Sequence, residues 1–272
     1  MYDNRGSAIK RAFALAVRAS LLLNARVPDV IQSLWIGSAL GPLERLSAAS
    51  FMKQGHEYHL YTYGPLENVP PGVVVIDGNE ILPASSIFSY QSGFGSGSVS
   101  AFSNLFRYKL LLERGGWWAD ADVVCLRAFD FAEPLVLAGE YHRNHPRQIA
   151  SAVIRSPSGH VLMQKCYNTA RESDPAKVVW GQIGPLLLSS VAENLKLEAH
   201  VRAPEVFCPV PWWEWEVLVR EDGDIHEWIS SATYAIHLWH ELWRSRRIDR
   251  NMRFPDSAPI SRLLADHGIA AS

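Results

Sequence analysis

The sequence predicts an α/β protein, a sheet flanked by helices, and three observations predict it. Near the start, residues 30–36 form an apolar, β-rich run ending at Gly37, and residues 42–54 read as a helix with Pro42 in its first turn and Gly55 at its stop. Two further β-prone runs follow at 57–63 and 72–77, the second of them (Gly-Val-Val-Val-Ile-Asp) of buried type. This β-α-β-β order suits a nucleotide-binding α/β sheet. Third, a helix over about residues 101–114 is stopped by Gly115-Gly116 and followed by a strand carrying two carboxylates, Asp120 and Asp122.

The rest of the chain keeps the alternation. Residues 92–100 (Ser-Gly-Phe-Gly-Ser-Gly-Ser-Val-Ser) form the most flexible segment by composition, a mobile loop before the helix that Ser100 or Ser103 can cap. It has neither the dinucleotide fingerprint nor the Gly-Lys-Ser/Thr ending of a P-loop. Strands are expected at 117–126, 135–140, 149–154 and 201–207, and helices at 159–171, 185–197 and 259–267. A tryptophan-rich loop follows residue 207. No internal repeat or linker interrupts the chain, and residues 1–28, with their amphipathic 7–25 segment, are read as an N-terminal helix. Residues 29–272 then form one domain, with the halves meeting near 127/128.

Composition bounds the function. At 272 residues, with 48% hydrophobic and 20% charged residues, the chain has ample core for one large domain. A net charge of -2 supplies no global attraction to nucleic acid or an anionic membrane. Basic residues cluster locally at Arg244, Arg246, Arg247, Arg250 and Arg253, either a solvated face or a phosphate or lipid contact. The 7–25 segment, with Lys10, Arg11 and Arg18, is either a packed amphipathic helix or a weak membrane-surface contact. Its apolar stretch is too short to span a bilayer and has no convincing signal-cleavage site. Cys125, Cys166 and Cys208 are odd in number and far apart, without metal or disulfide spacing, which favours a reducing compartment and a cytoplasmic protein.

The chemistry centres on Asp120-Ala121-Asp122. Residues i and i+2 of a strand share a face, so both acids aim at one spot while Ala121 faces away. Two hard oxygen ligands suit Mn²⁺ or Mg²⁺, which fill their remaining positions with water and substrate phosphates. An Asp-x-Asp alone is weak evidence, and its setting is what strengthens it. Ser103-Asn104-Leu-Phe-Arg107-Tyr-Lys-Leu, then Gly115-Gly116-Trp-Trp118-Ala-Asp120-Ala-Asp122, resembles the DXD glycosyltransferases. That group includes α-1,4-galactosyltransferases, initiating mannosyltransferases and the glucosylating domains of clostridial toxins. Their pattern is a Ser-Asp-x-x-Arg-x-x-x-Leu helix followed by Gly-Gly-x-Tyr-x-Asp-x-Asp. Asn104 stands here for their Asp and Trp118 for their Tyr, so the sugar contact is where this chain departs from them.

The resemblance runs from about residue 31 to 243. Ser33-Leu34-Trp35-Ile36-Gly37 is similar to the family's first strand, where the aromatic stacks on the nucleotide base, although an isolated Trp35 also fits a core. The segment Gly55-His-Glu-Tyr-His-Leu-Tyr-Thr-Tyr63 and the acidic stretch 77–82 are similar to the second strand and to the stretch after the third. Tyr234-Ala-Ile-His237-Leu-Trp-His240-Glu-Leu-Trp243 resembles the terminal His-x-Trp element. The family implies that this histidine approaches the metal or diphosphate and that the tryptophan, assigned to Trp243, closes over the donor. His237 and His240 also fit as packing residues. Gln182, beside the Gly184-Pro185 helix start, is either a turn residue or a group reaching the reacting sugar. Trp212, Trp213 and Glu214 are either an acceptor site or part of a buried aromatic cluster.

Taken together, the resemblance implies a GT-A type fold with a central mixed, mostly parallel sheet. It implies a glycosyltransferase that moves a sugar from a nucleotide-diphosphate donor, a UDP-sugar, to a glycan or glycolipid, with retention of configuration. Asp120, Asp122 and His237 would hold Mn²⁺ (or Mg²⁺). Arg107 and Gln182 would join the two acids in catalysis. Leu34, Trp35, Ile36, Asn104, Arg107, Trp118, Asp120, Ala121, His237 and Trp243 would line the donor site. An inverting enzyme would need a base, for which Glu214, Glu216 and Glu241 are the candidates. The context resembles bacterial members that build surface polysaccharide, expected at the cytoplasmic face of the inner membrane. A nucleotide-sugar hydrolase or nucleotidyltransferase, a protein-modifying glucosyltransferase and a non-catalytic sugar-binding module are the alternatives. Product analysis and dependence on the acid pair separate them.

Overall fold

The computed structural model describes residues 30–143, 148–249 and 251–270. The N-terminal helix expected over 1–28, and Arg250 of the basic run, lie outside the described residues.

The fold is α/β. A seven-stranded sheet takes the order β3-β2-β1-β4-β7-β6-β8, and a two-stranded sheet pairs β5 (Val123–Cys125) with β9 (Ala235–His237). β1 (Ile31–Leu34) lies parallel to β2 (Tyr58–Thr62) and to β4 (Gly116–Ala119), and β2 lies parallel to β3 (Val74–Asp77). β7 (Gln148–Ser156) runs antiparallel to both β4 and β6 (Val136–Glu140), while β6 is parallel to β8 (Val201–Arg202). One strand is therefore reversed, and the sheet is mixed and mostly parallel, as expected.

Adjacent side chains of a strand alternate between faces, and the apolar runs fill both faces here. Trp118, Leu137 and Ile154 pack with α2 (Ser100–Arg114), α3 (Val161–Glu172) and α4 (Pro185–Asn194). Their neighbours Trp117, Val136 and Val153 pack on the opposite side with Phe129 and with Phe207 of α5 (Pro204–Phe207). A third apolar cluster joins α1 (Pro42–Lys53), the small sheet, α6 (His240–Ser245) and α7 (Pro259–Asp266) around Trp215 and Trp243. All three cysteines are free and buried. Among the described residues, no helix is long and apolar enough to cross a membrane.

Four local expectations are corrected. β3 is an edge strand rather than a buried one, with Val74 and Val75 40% and 46% exposed, because it pairs on one side only. The strand expected over 201–207 ends after Arg202, since Pro204 lacks an N–H for the ladder and instead opens α5 at its first turn. The tryptophan-rich loop is a 3₁₀ helix, Trp212–Leu218. Neither Ser100 nor Ser103 caps α2: the cap position is Val99 without a side-chain bond, and the Ser103 hydroxyl accepts from Arg107.

The strand expected over 117–126 is two strands, β4 and β5 (Val123–Cys125), joined by a turn in which the Val123 N–H donates to the Asp120 carbonyl at 3.0 Å. The chain leaves the large sheet at Ala119 and enters the small one at Val123. The two acids therefore sit in the turn between sheets, not on one strand face.

Gly115 sets the exit from α2. It has φ 67° and ψ -164°, a region essentially restricted to glycine. A Cβ there would stand 2.6 Å from the Ser158 backbone nitrogen. Strain and clash together are expected to cost about 3 kcal/mol in Gly115→Ala. The melting temperature should fall by roughly 6–12 °C in thermal unfolding; an unchanged value would mean that the turn relaxes freely.

Candidate active site

The cleft lies outside the carboxyl ends of the parallel strands, where ligands of open α/β sheets bind. It encloses about 1530 Å³, and its lining includes Trp35 just after β1, the β4–β5 turn and Trp212. Asp120, Asp122 and His237 meet at its floor. One ligand atom from each lies within 4.8 Å of the others. Their side chains are recessed, yet each keeps between 11% and 24% of its surface open.

Each acid is oriented by its neighbours. Asp120 Oδ1 accepts from Arg107 Nη2 and from Trp118 Nε1, both at 2.7 Å, which leaves Oδ2 for a ligand. Arg107 is 3% exposed, lies 4.9 Å over the Trp118 ring and donates to Asn104 Oδ1 at 2.7 Å and Ser103 Oγ at 3.1 Å. These partners stand three and four residues before Arg107 on α2, so one helix face presents the whole fork. The turn at Gly184 presses on Asn104, and a Cβ there would stand 2.8 Å from its Nδ2. Asp122 Oδ2 accepts from the His240 backbone N–H at 2.9 Å and faces His237 Nε2 at 3.4 Å. Pairing of β5 with β9 (Ala235–His237) brings the histidine there, with Val123 in register with His237.

Electrostatics follow from this packing. Burial pushes the Asp120 carboxyl up, Arg107 opposes that, and the Asp122 charge adds to it, leaving the group above its ordinary value. Burial acts on Asp122 in the same sense, but His237, through charge and hydrogen bond, and the His240 N–H outweigh it and hold the carboxyl far down. Burial alone would lower His237. The Asp122 charge and hydrogen bond, with the Cys208 thiol beside the ring, raise it well above its ordinary value. Two carboxylates and an imidazole form a donor set that suits Mn²⁺ or Mg²⁺, and Asp120 Oδ2 is free for one.

This charge state predicts how metal affinity varies with pH. An imidazole must lose its proton to ligate, and His237 holds that proton strongly. Mn²⁺ affinity should therefore rise with pH, about tenfold per unit below the His237 pKa, with close to one proton released. Calorimetry in buffers of different ionisation enthalpy counts that proton, and a pH-independent affinity would remove His237 from the ligand set.

The remaining sequence-derived candidates divide. Leu34, Trp35, Ile36, Asn104, Trp118 and Ala121 line the cleft. The Trp35 indole N–H donates to the Ala39 carbonyl at 3.0 Å, which fixes the ring at the cleft wall. Trp212 lines the cleft and is 36% exposed, with Trp213 packed edge-on against it. Trp213 and Glu214 are not part of the lining.

Trp243 is corrected: it is fully buried against Trp215 and Phe254. Trp239, the tryptophan two residues after His237, lines the cleft instead, its ring centroid 4.1 Å from that of His237. Its backbone is left-handed (φ 57°, ψ 39°), strained for a bulky residue, and its indole N–H donates to the Val210 carbonyl at 2.9 Å. Gln182 is also corrected, since its Oε1 accepts from the Val179 N–H at 3.0 Å and closes a turn outside the lining.

Glu140 escaped the sequence reading. It is the last residue of β6, is 8% exposed and lines the cleft. Burial raises its carboxyl, while the His237 charge and a hydrogen bond from Gln148 oppose that. The signal was present in Val136-Leu-Ala-Gly-Glu140, an apolar run closed by an acid.

A mixed α/β sheet with a carboxylate–carboxylate–imidazole cluster and a buried arginine at its carboxyl edge has the makings of a metal–diphosphate site. Residues 156–258 match the family model described as the alpha 1,4-glycosyltransferase conserved region. Over 169 residues the chain is 27% identical to the lactosylceramide 4-alpha-galactosyltransferases of Homo sapiens and Gorilla gorilla gorilla. Those alignments cover 57% of this chain and 46% and 49% of the relatives, so the chain spans about half the length of the curated relatives it matches. A solved structure described as PaToxG Glycosyltransferase is 14% identical, with a TM-score of 0.46 over 62% of this chain and 70% of that one. At the family level, then, the chain is similar to the α-1,4-glycosyltransferases over residues 156–258 and along a 169-residue alignment.

Proposed function

We propose that this protein is a metal-dependent glycosyltransferase that moves a sugar from a UDP-sugar to a glycan or glycolipid acceptor. The observation that carries the reading is the Asp120–Asp122–His237 cluster, tied through Asp120 to Arg107, in a cleft that Trp35 and Trp212 also line. Asp120 Oδ2, Asp122 and His237 would hold Mn²⁺ (or Mg²⁺). The ion would supply Lewis-acid stabilisation of the charge that builds on the departing diphosphate. Arg107 adds a positive charge fixed before the reaction begins, so little reorganisation is needed as that charge develops. Trp35 offers a flat face for the base, and Trp212 one for an acceptor sugar.

Resemblance to retaining relatives supports transfer with retention, in which the leaving phosphate takes the acceptor proton. The curated relatives are named for lactosylceramide, which favours a galactosyl acceptor. Membrane contact and a cytoplasmic location, on the pathway to bacterial surface polysaccharide, belong to the same proposal. Phe94, Val179, Trp180 and Leu186 are exposed apolar residues, three of them at the cleft rim. Arg244 donates to the Ser96 carbonyl at 3.1 Å, which sets the exposed Arg246 and Arg247 close to that rim. Such a mixture suits a peripheral lipid contact.

The test is a screen of UDP-galactose, UDP-glucose and UDP-N-acetylglucosamine for thermal stabilisation and UDP release, with and without Mn²⁺. A Mn²⁺-dependent response to one donor is expected. Silence with all three sinks the UDP-sugar reading.

A further inference from the structure

We propose that Glu140 binds a hydroxyl group of the acceptor sugar, with Gln148 as its orienting partner. The inference rests on the glycosyltransferase reading above.

Sheet order carries the argument. Counting outward from β4, which leads into the acid pair, β1 with Trp35 lies on one side and β7 then β6 lie on the other. Neighbouring strands are about 4.8 Å apart, so the end of β6 sits about 10 Å from the metal-binding turn, away from the base-stacking wall. Both positions open into one cleft. A nucleotide occupying the β1 side leaves the β6 side for the second substrate.

The chemistry of that side is fitted to a sugar. Glu140 and Gln148 are cross-strand partners, and Gln148 Nε2 donates to Glu140 Oε1 at 2.5 Å. That bond fixes the carboxyl and leaves Oε2 to accept from a hydroxyl. His142 and Ser151 line the same side of the cleft, and Trp212 adds an exposed ring. Arg143, three residues beyond Glu140, lies 5.1 Å over the Trp213 ring and ties the end of β6 to the tryptophan segment. A carboxyl beside an indole is a common chemistry for pyranose binding, because one accepts hydroxyl protons and the other covers the apolar ring face. A buried acid at a strand end is otherwise a cost to folding, since apolar residues would fill the space more cheaply.

The experiment compares wild type with Glu140→Gln and Glu140→Ala, using UDP-galactose, Mn²⁺ and p-nitrophenyl lactoside. Transfer to the lactoside and hydrolysis of UDP-galactose to water are both followed. The acceptor KM should rise about tenfold in Glu140→Gln and up to about a hundredfold in Glu140→Ala. At saturating Mn²⁺, hydrolysis of UDP-galactose should stay within about twofold of wild type. An unchanged acceptor KM overturns the proposal. So does parallel loss of hydrolysis and transfer in folded Glu140→Gln, which would place the carboxyl at the donor. If the wild type releases no UDP from any donor tried, the glycosyltransferase reading itself fails, a result distinct from either.

Discussion

Asp122→Asn is expected to abolish Mn²⁺-dependent UDP release, by at least about a thousandfold, while the protein stays folded. The substitution is nearly isosteric. The amide oxygen can still accept the His240 backbone N–H that now reaches Asp122 Oδ2 at 2.9 Å, so the β4–β5 turn keeps its tie to α6. The charge is what disappears, and a neutral amide is a weak ligand for a hard dication. The metal-induced thermal shift should vanish along with turnover. A pH signature should accompany it. Because the folded-state pKa of Asp122 is depressed, its stabilisation is present above the unfolded carboxylate value and is lost as pH falls through the folded one. His237 is raised, so its stabilisation is complete below its unfolded value and is lost as pH climbs through the folded one. The metal-free pair therefore stabilises most between about pH 4 and 6.5, the two unfolded values. Asp122→Asn should flatten that maximum in denaturation measured across pH. Full turnover in the variant would remove the metal from the mechanism.

How far this site was legible depends on what each residue signals locally. The α2 face was legible because Ser103, Asn104 and Arg107 stand at helical spacing, and that spacing alone brings them together. The convergence of Asp120 and Asp122 was anticipated for a reason that does not hold. An i, i+2 spacing places two side chains on one face of a strand, but here a turn between two sheets does the work, and no local pattern marks where a chain changes sheets. The histidine was reachable only through resemblance, since β5–β9 pairing joins residues 110 to 114 positions apart. Trp239 and Trp243 show the same limit on a shorter scale. Both are tryptophans in one short segment, and the left-handed backbone at Trp239 goes with one ring in the cleft and the other in the core. Val74 and Val75 read as buried because β-branched runs ordinarily are; edge position belongs to topology. Glu140 was passed over because a single acid ending a strand is unremarkable until its burial is known.

Arg107→Ala should produce the largest loss of stability among the cleft substitutions, together with loss of turnover. The guanidinium serves Asp120, Asn104 and Ser103 at once and lies against Trp118. Removing it leaves the Asp120 carboxyl with the Trp118 N–H and takes away the Arg107 bond to the Asn104 oxygen, a residue only 5% exposed. Breaking a buried pair by deleting one partner costs about 3–5 kcal/mol. The low end applies here, because 24% of the Asp120 side chain stays open to the cleft. A loss of about 3 kcal/mol corresponds to a fall of roughly 6–12 °C in melting temperature for a chain of this size. Arg107→Lys should recover only part of it, since an ammonium keeps the charge but cannot reproduce the planar fork. Metal separates this account from a simple packing defect. With the guanidinium gone, Asp120 faces the Asp122 charge with less compensation, so Mn²⁺ bound between the acids should stabilise Arg107→Ala more, in degrees, than it stabilises wild type. Equal metal-induced shifts in the two proteins would show that Arg107 supports the helix rather than the charge balance of the acid pair.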